Sequence, residues 1–245
     1  MAQSSLDSPT APGAEAGSDP VVAVTFKIHN RNLIQSVSSV RFALADSFDV
    51  RLGGSYAGEE SVTLPDTIEP QGKGFLSLDL LILGRVRYEL RVMGSLSYSL
   101  GGQEQSQDFN FAVPPSTFML AIPRLTGADF SKILTEQLDS FSATGSATVH
   151  LSSGTSGQDE PFWDAVEKIT KNVTHTHVVE VVDGAASFFG QSWQGYQVAG
   201  LIKVMKGAAE EGEASKTVEV EMKCTDQSFV DGLAREIQDM DNSSH

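Results

Sequence analysis

The sequence predicts a β-sandwich of immunoglobulin-like type, without a disulfide, followed by an α+β platform in which helices flank an antiparallel sheet. First, residues 21–114 hold seven or eight short alternating stretches, separated by turn residues at regular spacing. Second, the pattern changes after Pro114-Pro115, where helical stripes begin to alternate with strands. Third, Cys224 is the single cysteine, so no intrachain disulfide can form.

The charge balance restricts the partners that the chain can take. Its 245 residues carry a formal net charge of −15, from 32 acidic and 17 basic side chains. Such a surface repels nucleic acid and anionic lipid, and it favours basic partners or simply keeps the protein in solution. No apolar run reaches membrane-spanning length, and the sequence predicts no transmembrane segment.

The first 20 residues are predicted to be a disordered hinge. They are mostly Ser, Pro, Ala and Gly, without apolar periodicity. They lack the basic and apolar regions of a signal peptide. We expect the sandwich at residues 21–114, the platform at 115–240 and a short tail at 241–245.

The predicted sandwich has one unusual strand, at residues 85–92. Its bases Arg85, Arg87 and Arg91 fall on one side, while Val86, Tyr88, Leu90 and Val92 fall on the other. This basic stripe has two interpretations: a solvated strand face paired with Glu89, or a contact for an acidic peptide or a lipid headgroup.

The platform is predicted to hold about five strands and three helices. Thr126 can cap a first helix with Phe130 and Leu134 on its apolar stripe, and Glu160-Pro161 opens a second. A third helix places Phe229, Leu233, Ile237 and Met240 on one stripe. The strands are predicted at residues 118–122, 147–151, 178–182, 185–189, 196–204 and 218–224.

The sequence contains no recognisable catalytic or nucleotide-binding motif. His175 and His177 could form a metal pair on one face of an extended segment, but without a third ligand nearby they are better explained as loop histidines. Cys224 is expected to be buried rather than reactive. Gly53-Gly54 and Gly101-Gly102 are predicted hairpin turns. We therefore expect no cofactor, no metal and no enzyme activity.

Three stretches carry a resemblance to a known family. They are residues 129–134 (DFSKIL), residues 196–199 (YQVA), and residues 220–224 (VEMKC) with the helix at 229–237. Together with the order hinge, sandwich and platform, they resemble the C-terminal appendage, or ear, of an adaptor-complex large subunit. The β-type appendages are most similar, and the coatomer γ-subunit appendage is more distant.

The resemblance implies a non-enzymatic module of a vesicle coat that recruits accessory proteins through short linear motifs. It also implies other adaptor subunits as partners, through an upstream trunk, and a cytoplasmic location, peripheral on vesicle, endosomal or Golgi membranes. The alternative is a two-domain β-rich protein that binds a lipid or a carbohydrate in a cavity lined by Phe188 and Phe189. An enzyme would need a cleft with converging polar groups.

The resemblance also implies a peptide groove beside the first platform helix. Leu134 stands where the family has an aromatic residue, and Val218 stands where it has a tyrosine, so the groove either binds a different motif or has been lost. In the first case we expect an apolar peptide anchor with an acidic flank that contacts Lys203. The candidate peptide-binding residues are Phe130, Leu134, Trp193, Tyr196 and Lys203.

Overall fold

The chain folds into two compact units, each with its own core. The computed structural model describes residues 2–5, 20–47, 49–83, 90–150, 160–205 and 217–242. One unit comprises Met1–Arg85 and Arg91–Val113, and the other comprises Val86–Leu90 and Pro114–His245.

The first unit contains two four-stranded sheets in the part of it that the structure describes. One sheet has the order β1-β2-β6-β4 and the other has the order β5-β3-β7-β8, with antiparallel neighbours. This arrangement confirms the predicted sandwich. The strands are β1 (Ala2–Ser5), β2 (Val21–His29), β3 (Val37–Leu44), β4 (Val50–Leu52), β5 (Ser61–Thr63), β6 (Lys73–Ile82), β7 (Leu90–Leu100) and β8 (Gln103–Val113).

Aromatic rings join the two sheets of the sandwich. Phe26 on β2 lies 4.6 Å from Phe42 on β3, measured between ring centroids, and Phe109 on β8 stacks 4.8 Å from Phe42. Because β2 alternates apolar and polar residues, its even-numbered side chains from Val22 to Ile28 are buried between the sheets.

Two features of this unit differ from the sequence-based expectation. Ala2–Ser5, predicted to belong to a disordered hinge, pairs with β2 through backbone groups, which any side-chain composition can supply. Gly53-Gly54 is not a hairpin turn, because it connects strands of different sheets. Gly101-Gly102 does connect neighbouring strands, with φ of 59° and 81° that glycine adopts without strain.

The second unit contains a five-stranded antiparallel sheet in the order β10-β11-β12-β13-β9. With three helices it confirms the predicted platform. The strands are β9 (Ala143–His150), β10 (His177–Val182), β11 (Ala185–Gln191), β12 (Gln197–Met205) and β13 (Thr217–Cys224). The helices are α1 (Gly127–Glu136), α2 (Glu160–Glu167), which continues as a π-helical segment at Lys168–Val173, and α3 (Gln227–Asn242).

The helix starts follow local sequence signals. The Thr126 hydroxyl accepts a hydrogen bond from the backbone N–H of Asp129 at 3.1 Å, and Asp129 supplies an acidic side chain to the first turn of α1. The Asp226 carboxylate accepts from the N–H of Phe229 at 2.9 Å at the start of α3. The strand predicted at residues 118–122 is wrong: Pro115–Phe118 is a 3₁₀ turn, and Met119 makes only a single bridge to Ser192.

Candidate functional site

The five-stranded sheet has two faces with different coverings. On the α3 face, side chains such as Val198 and Ile202 of β12 are buried against α2 and α3. On the α1 face, Phe189 and Ala199 are buried under α1. Since strand side chains alternate, every β12 residue of odd number lies on the α1 face.

The strand register defines a surface beside α1 that remains exposed. Val182, Ala185, Lys203 and Glu219 are paired across four strands, so their side chains lie in one row on the α1 face. The neighbouring row contains Leu201 paired with Glu221. We call this part of the face the open half; its exposed members are Val182, Met205 and Glu221, and its half-buried members are Leu201, Lys203 and Glu219.

The two candidate residues on α1 contribute to the small core under that helix. Phe130 and Leu134 are both half-buried against the cluster of Phe141, Phe189 and Ala199. The Phe130 ring meets the Phe189 ring edge-on at 6.1 Å between centroids. No residue of α1 whose burial the structure describes is fully buried, so its apolar stripe is in contact with both the sheet and solvent.

Lys203 is held by carboxylates on its own face. Its ammonium group lies 2.8 Å from Glu221 Oε2, and the two side chains are 40% and 51% exposed. The hydrogen bond from Lys203 to Glu221 raises the pKa of the lysine, and the charges of Glu221 and Glu219 act in the same direction against partial desolvation. The open half therefore presents two carboxylates and one ammonium group in these rows, and its charge is locally acidic.

The structure does not bring Tyr196 to this surface. Its ring packs 5.3 Å from the ring of Phe229 on α3, and it belongs to the larger core on the α3 face. Trp193 lies in the turn between β11 and β12, half-buried, and its backbone N–H donates to the carbonyl of Phe118 at 2.7 Å. Of the five candidate residues, Phe130, Leu134 and Lys203 thus share the α1 face.

The alternative cavity lined by Phe188 and Phe189 is contradicted by the register. These neighbours point to opposite faces of the sheet, where Phe188 is fully buried in the larger core and Phe189 is 3% exposed in the smaller one. Adjacent strand residues cannot line one enclosed cavity between sheet and helix.

The basic stripe stays a prediction. Arg85 and Arg87 lie outside the described residues, and Arg91 is an exposed residue of β7.

The structure tests the interpretations given above for His175, His177 and Cys224. His175 has a φ of 51°, so the segment is not extended there and the predicted common face of His175 and His177 is wrong. Within the described ranges, no group of three or more His, Cys, Asp or Glu side chains could hold a metal ion. Cys224 is fully buried, and burial raises the pKa of its thiol, as expected for an unreactive cysteine.

One carboxylate in this unit has an unusual environment. Glu236 on α3 accepts a hydrogen bond from the backbone N–H of Ser116 at 3.0 Å, and its other oxygen accepts from the Ser116 hydroxyl. Burial raises the pKa of Glu236 to about 7, with the nearby charge of Asp239 adding to the effect, while the hydrogen bonds from Ser116 oppose it.

Sequence reasoning missed several exposed apolar residues of this unit. Val182 and Met205, on the open half, are 61% and 45% exposed, and Trp163 on α2 is 48% exposed. The signal for Val182 was its position at the end of a strand, directly before the turn at Asp183-Gly184 that joins β10 to β11. Trp163 follows a buried Phe162 on a short helix, so it must point away from the sheet.

The described residues form a sandwich followed by a helix-covered platform. Residues 128–242 match the family model described as AP3 Mu C-terminal domain. The match spans nearly all of the helices and strands of the α+β unit, which is thereby related to an adaptor-complex domain. It does not support a β-type large-subunit appendage specifically. No curated protein matches the chain.

None of the helices in the described part of the chain combines the length and the apolar character needed to cross a membrane.

Proposed function

We propose that the chain is a non-enzymatic recruitment module of a vesicle-coat adaptor, and that it captures short linear motifs on the open half of the α1 face. The relation of residues 128–242 to an adaptor-complex domain supports the setting. The observation that supports the surface is the placement of exposed Val182 and Met205 around Lys203, Glu219 and Glu221. Exposed apolar side chains beside fixed charges are typical of peptide-binding surfaces.

The charges determine the kind of motif. An acidic flank, expected from sequence, would have to displace Glu221 from Lys203 and would meet Glu219 as well. A peptide with an apolar residue and a basic flank meets no such competition, and it also agrees with the overall charge of −15. The proposed ligand is therefore an apolar residue followed by Lys or Arg, each contact being weak and reinforced by clustering on a membrane-bound coat.

Replacing Glu219 by lysine tests this preference. We expect Glu219→Lys to weaken binding of a labelled peptide with one Leu and two Lys by about fivefold to tenfold, since it reverses a charge at the rim of the surface. Lys203→Glu should strengthen the same binding. Fluorescence anisotropy at fixed ionic strength measures both affinities.

The matched control is Glu167→Lys, which makes the same charge change on α2, at a side chain that is 58% exposed. It should bind like the wild type. Tighter binding of a peptide with one Leu and two Glu, weakened by Lys203→Glu, would contradict the basic preference and restore the acidic one. Equal peptide binding by all variants would show that the open half is not the peptide-binding site.

A further inference from the structure

β9 is an edge strand with a partly unoccupied backbone. It is the last strand in the order of its sheet and pairs with β13 along one side. The Gln227 side chain pairs with the outer side of Thr144: its amide nitrogen donates to the Thr144 carbonyl at 2.8 Å, and its oxygen accepts from the Thr144 N–H at 3.2 Å. Backbone groups alternate along an antiparallel strand, so those of Ser146 and Thr148 also point outward.

This edge lacks the features that usually prevent strand pairing. Residues 143–149 contain no charge and no proline, and within the described residues no hydrogen bond reaches the outward backbone groups of Ser146 and Thr148. The other sheet edges differ: β1, β4 and β5 have at most four residues, β8 carries Glu104 and Asp108, and β10 has an irregular register at Val178/Glu180. β9 is thus the long, uncharged edge of the described strands.

A groove of about 750 Å³ lies at this edge and is lined by residues of β9, β13 and α3. α3 packs closely along β9: a methyl group added at Gly145 would lie 2.9 Å from the Val230 side chain. The charged residues of α3 that line the groove are one acid and one base, Asp231 and Arg235, in a chain whose net charge is −15. Glu221 and Lys223 also line it, but the register places their side chains on the α1 face, where Glu221 pairs with Lys203.

This balance indicates which occupant the groove fits. A site for a basic or an acidic peptide would carry an excess of one sign, as charge complementarity requires. On α3, by contrast, Asp231, Arg235 and Asp239 alternate in sign at four-residue spacing, and Arg235 lies 4.0 Å from Asp239. Two such helices, antiparallel about a two-fold axis that passes midway between Asp231 and Arg235, bring each arginine beside an aspartate of the other, so the pattern is self-complementary in that register.

We infer that the β9 edge and α3 bind a second copy of this chain, with the two β9 strands paired antiparallel across a two-fold axis. The interface joins two five-stranded sheets into one continuous sheet, and Thr and Ser side chains face each other across it. The interface adjoins the open half of the α1 face, because Ser146 and Thr148 pair with Glu221 and Glu219, but it does not depend on the function proposed for that surface.

Sedimentation velocity of the whole chain over a wide concentration range tests the inference. The wild type should show a monomer–dimer equilibrium. Ser146→Pro should raise the dissociation constant at least about tenfold, because proline removes the outward N–H while the pairing of β9 with β13 does not use it. Ser146→Ala, which keeps the backbone donor, should dimerise like the wild type.

A second pair of variants keeps the test valid if Ser146→Pro fails to fold. Arg235→Asp should raise the dissociation constant about fivefold, because it leaves only acids along the interface side of α3. Lys132→Asp makes the same charge change in a comparable i,i+4 pair on α1 and should leave dimerisation unchanged.

Hydrogen exchange gives an independent readout. The amides of Ser146 and Thr148 should become protected as protein concentration rises. A wild type that stays monomeric throughout overturns the inference, as does unchanged exchange at these two amides. Binding of an extended peptide at β9 by a chain that remains monomeric would overturn it as well.

Discussion

Phe229→Ala is expected to lower the free energy of unfolding of the second unit by about 3–5 kcal/mol, the range for a phenylalanine lost from a packed core. Phe229 is fully buried at the start of α3, where it joins that helix to the sheet and contacts Tyr196. Denaturant unfolding followed by circular dichroism measures the loss.

Trp163→Ala provides the control for this change. Trp163 is a larger aromatic residue of the same unit, but it is 48% exposed, so its removal should cost about 1 kcal/mol or less. Equal losses for the two variants would contradict the assignment of Phe229 and Tyr196 to the core of the α3 face.

Glu236→Gln is expected to remove a pH dependence from the stability of the same unit. The pKa of Glu236 is about 7 in the folded chain against an ordinary 4.5. Between these values the unfolded chain has lost the proton and the folded chain retains it, so stability falls as pH rises. The shift corresponds to at most about 3 kcal/mol.

Glutamine mimics the protonated carboxyl, because its amide can donate to the Ser116 hydroxyl while its oxygen accepts from the Ser116 N–H. The free energy of unfolding of Glu236→Gln should equal that of the wild type near pH 4.5. Above pH 7 it should be higher than that of the wild type by up to about 3 kcal/mol. Glu167→Gln, at an exposed site paired with Lys171, should parallel the wild type across the range. Parallel profiles for all three proteins would show that Glu236 titrates normally.

Sequence patterns predicted most of the platform because its strands and helices have clear periods. Val218, Val220, Met222 and Cys224 alternate with polar residues and are all buried, and Thr126 begins α1. The strand predicted after Pro115 is wrong because a short apolar run is compatible with either a strand or a turn. In the structure the run begins as a 3₁₀ turn, and Met119 makes only a single bridge to Ser192.

The candidate site was harder to predict, although part of the answer was present in the alternation of β12. Tyr196 and Lys203 have opposite parity, which places them on opposite faces of any strand that contains both. The carboxylates beside Lys203 come from β13, and Val182 comes from β10, so their proximity depends on the strand register. Register across a sheet depends on long-range pairing that a single sequence pattern does not contain.

The central claim is that ligands bind the open half of the α1 face. The most direct test is the mapping of backbone amide chemical shifts during titration with the peptide of one Leu and two Lys. We predict changes at Leu201, Lys203, Met205, Glu219 and Val182, together with α1, and little change at Val198 or Phe229. Changes confined to the α3 face, or an absence of changes on the open half, would contradict the account.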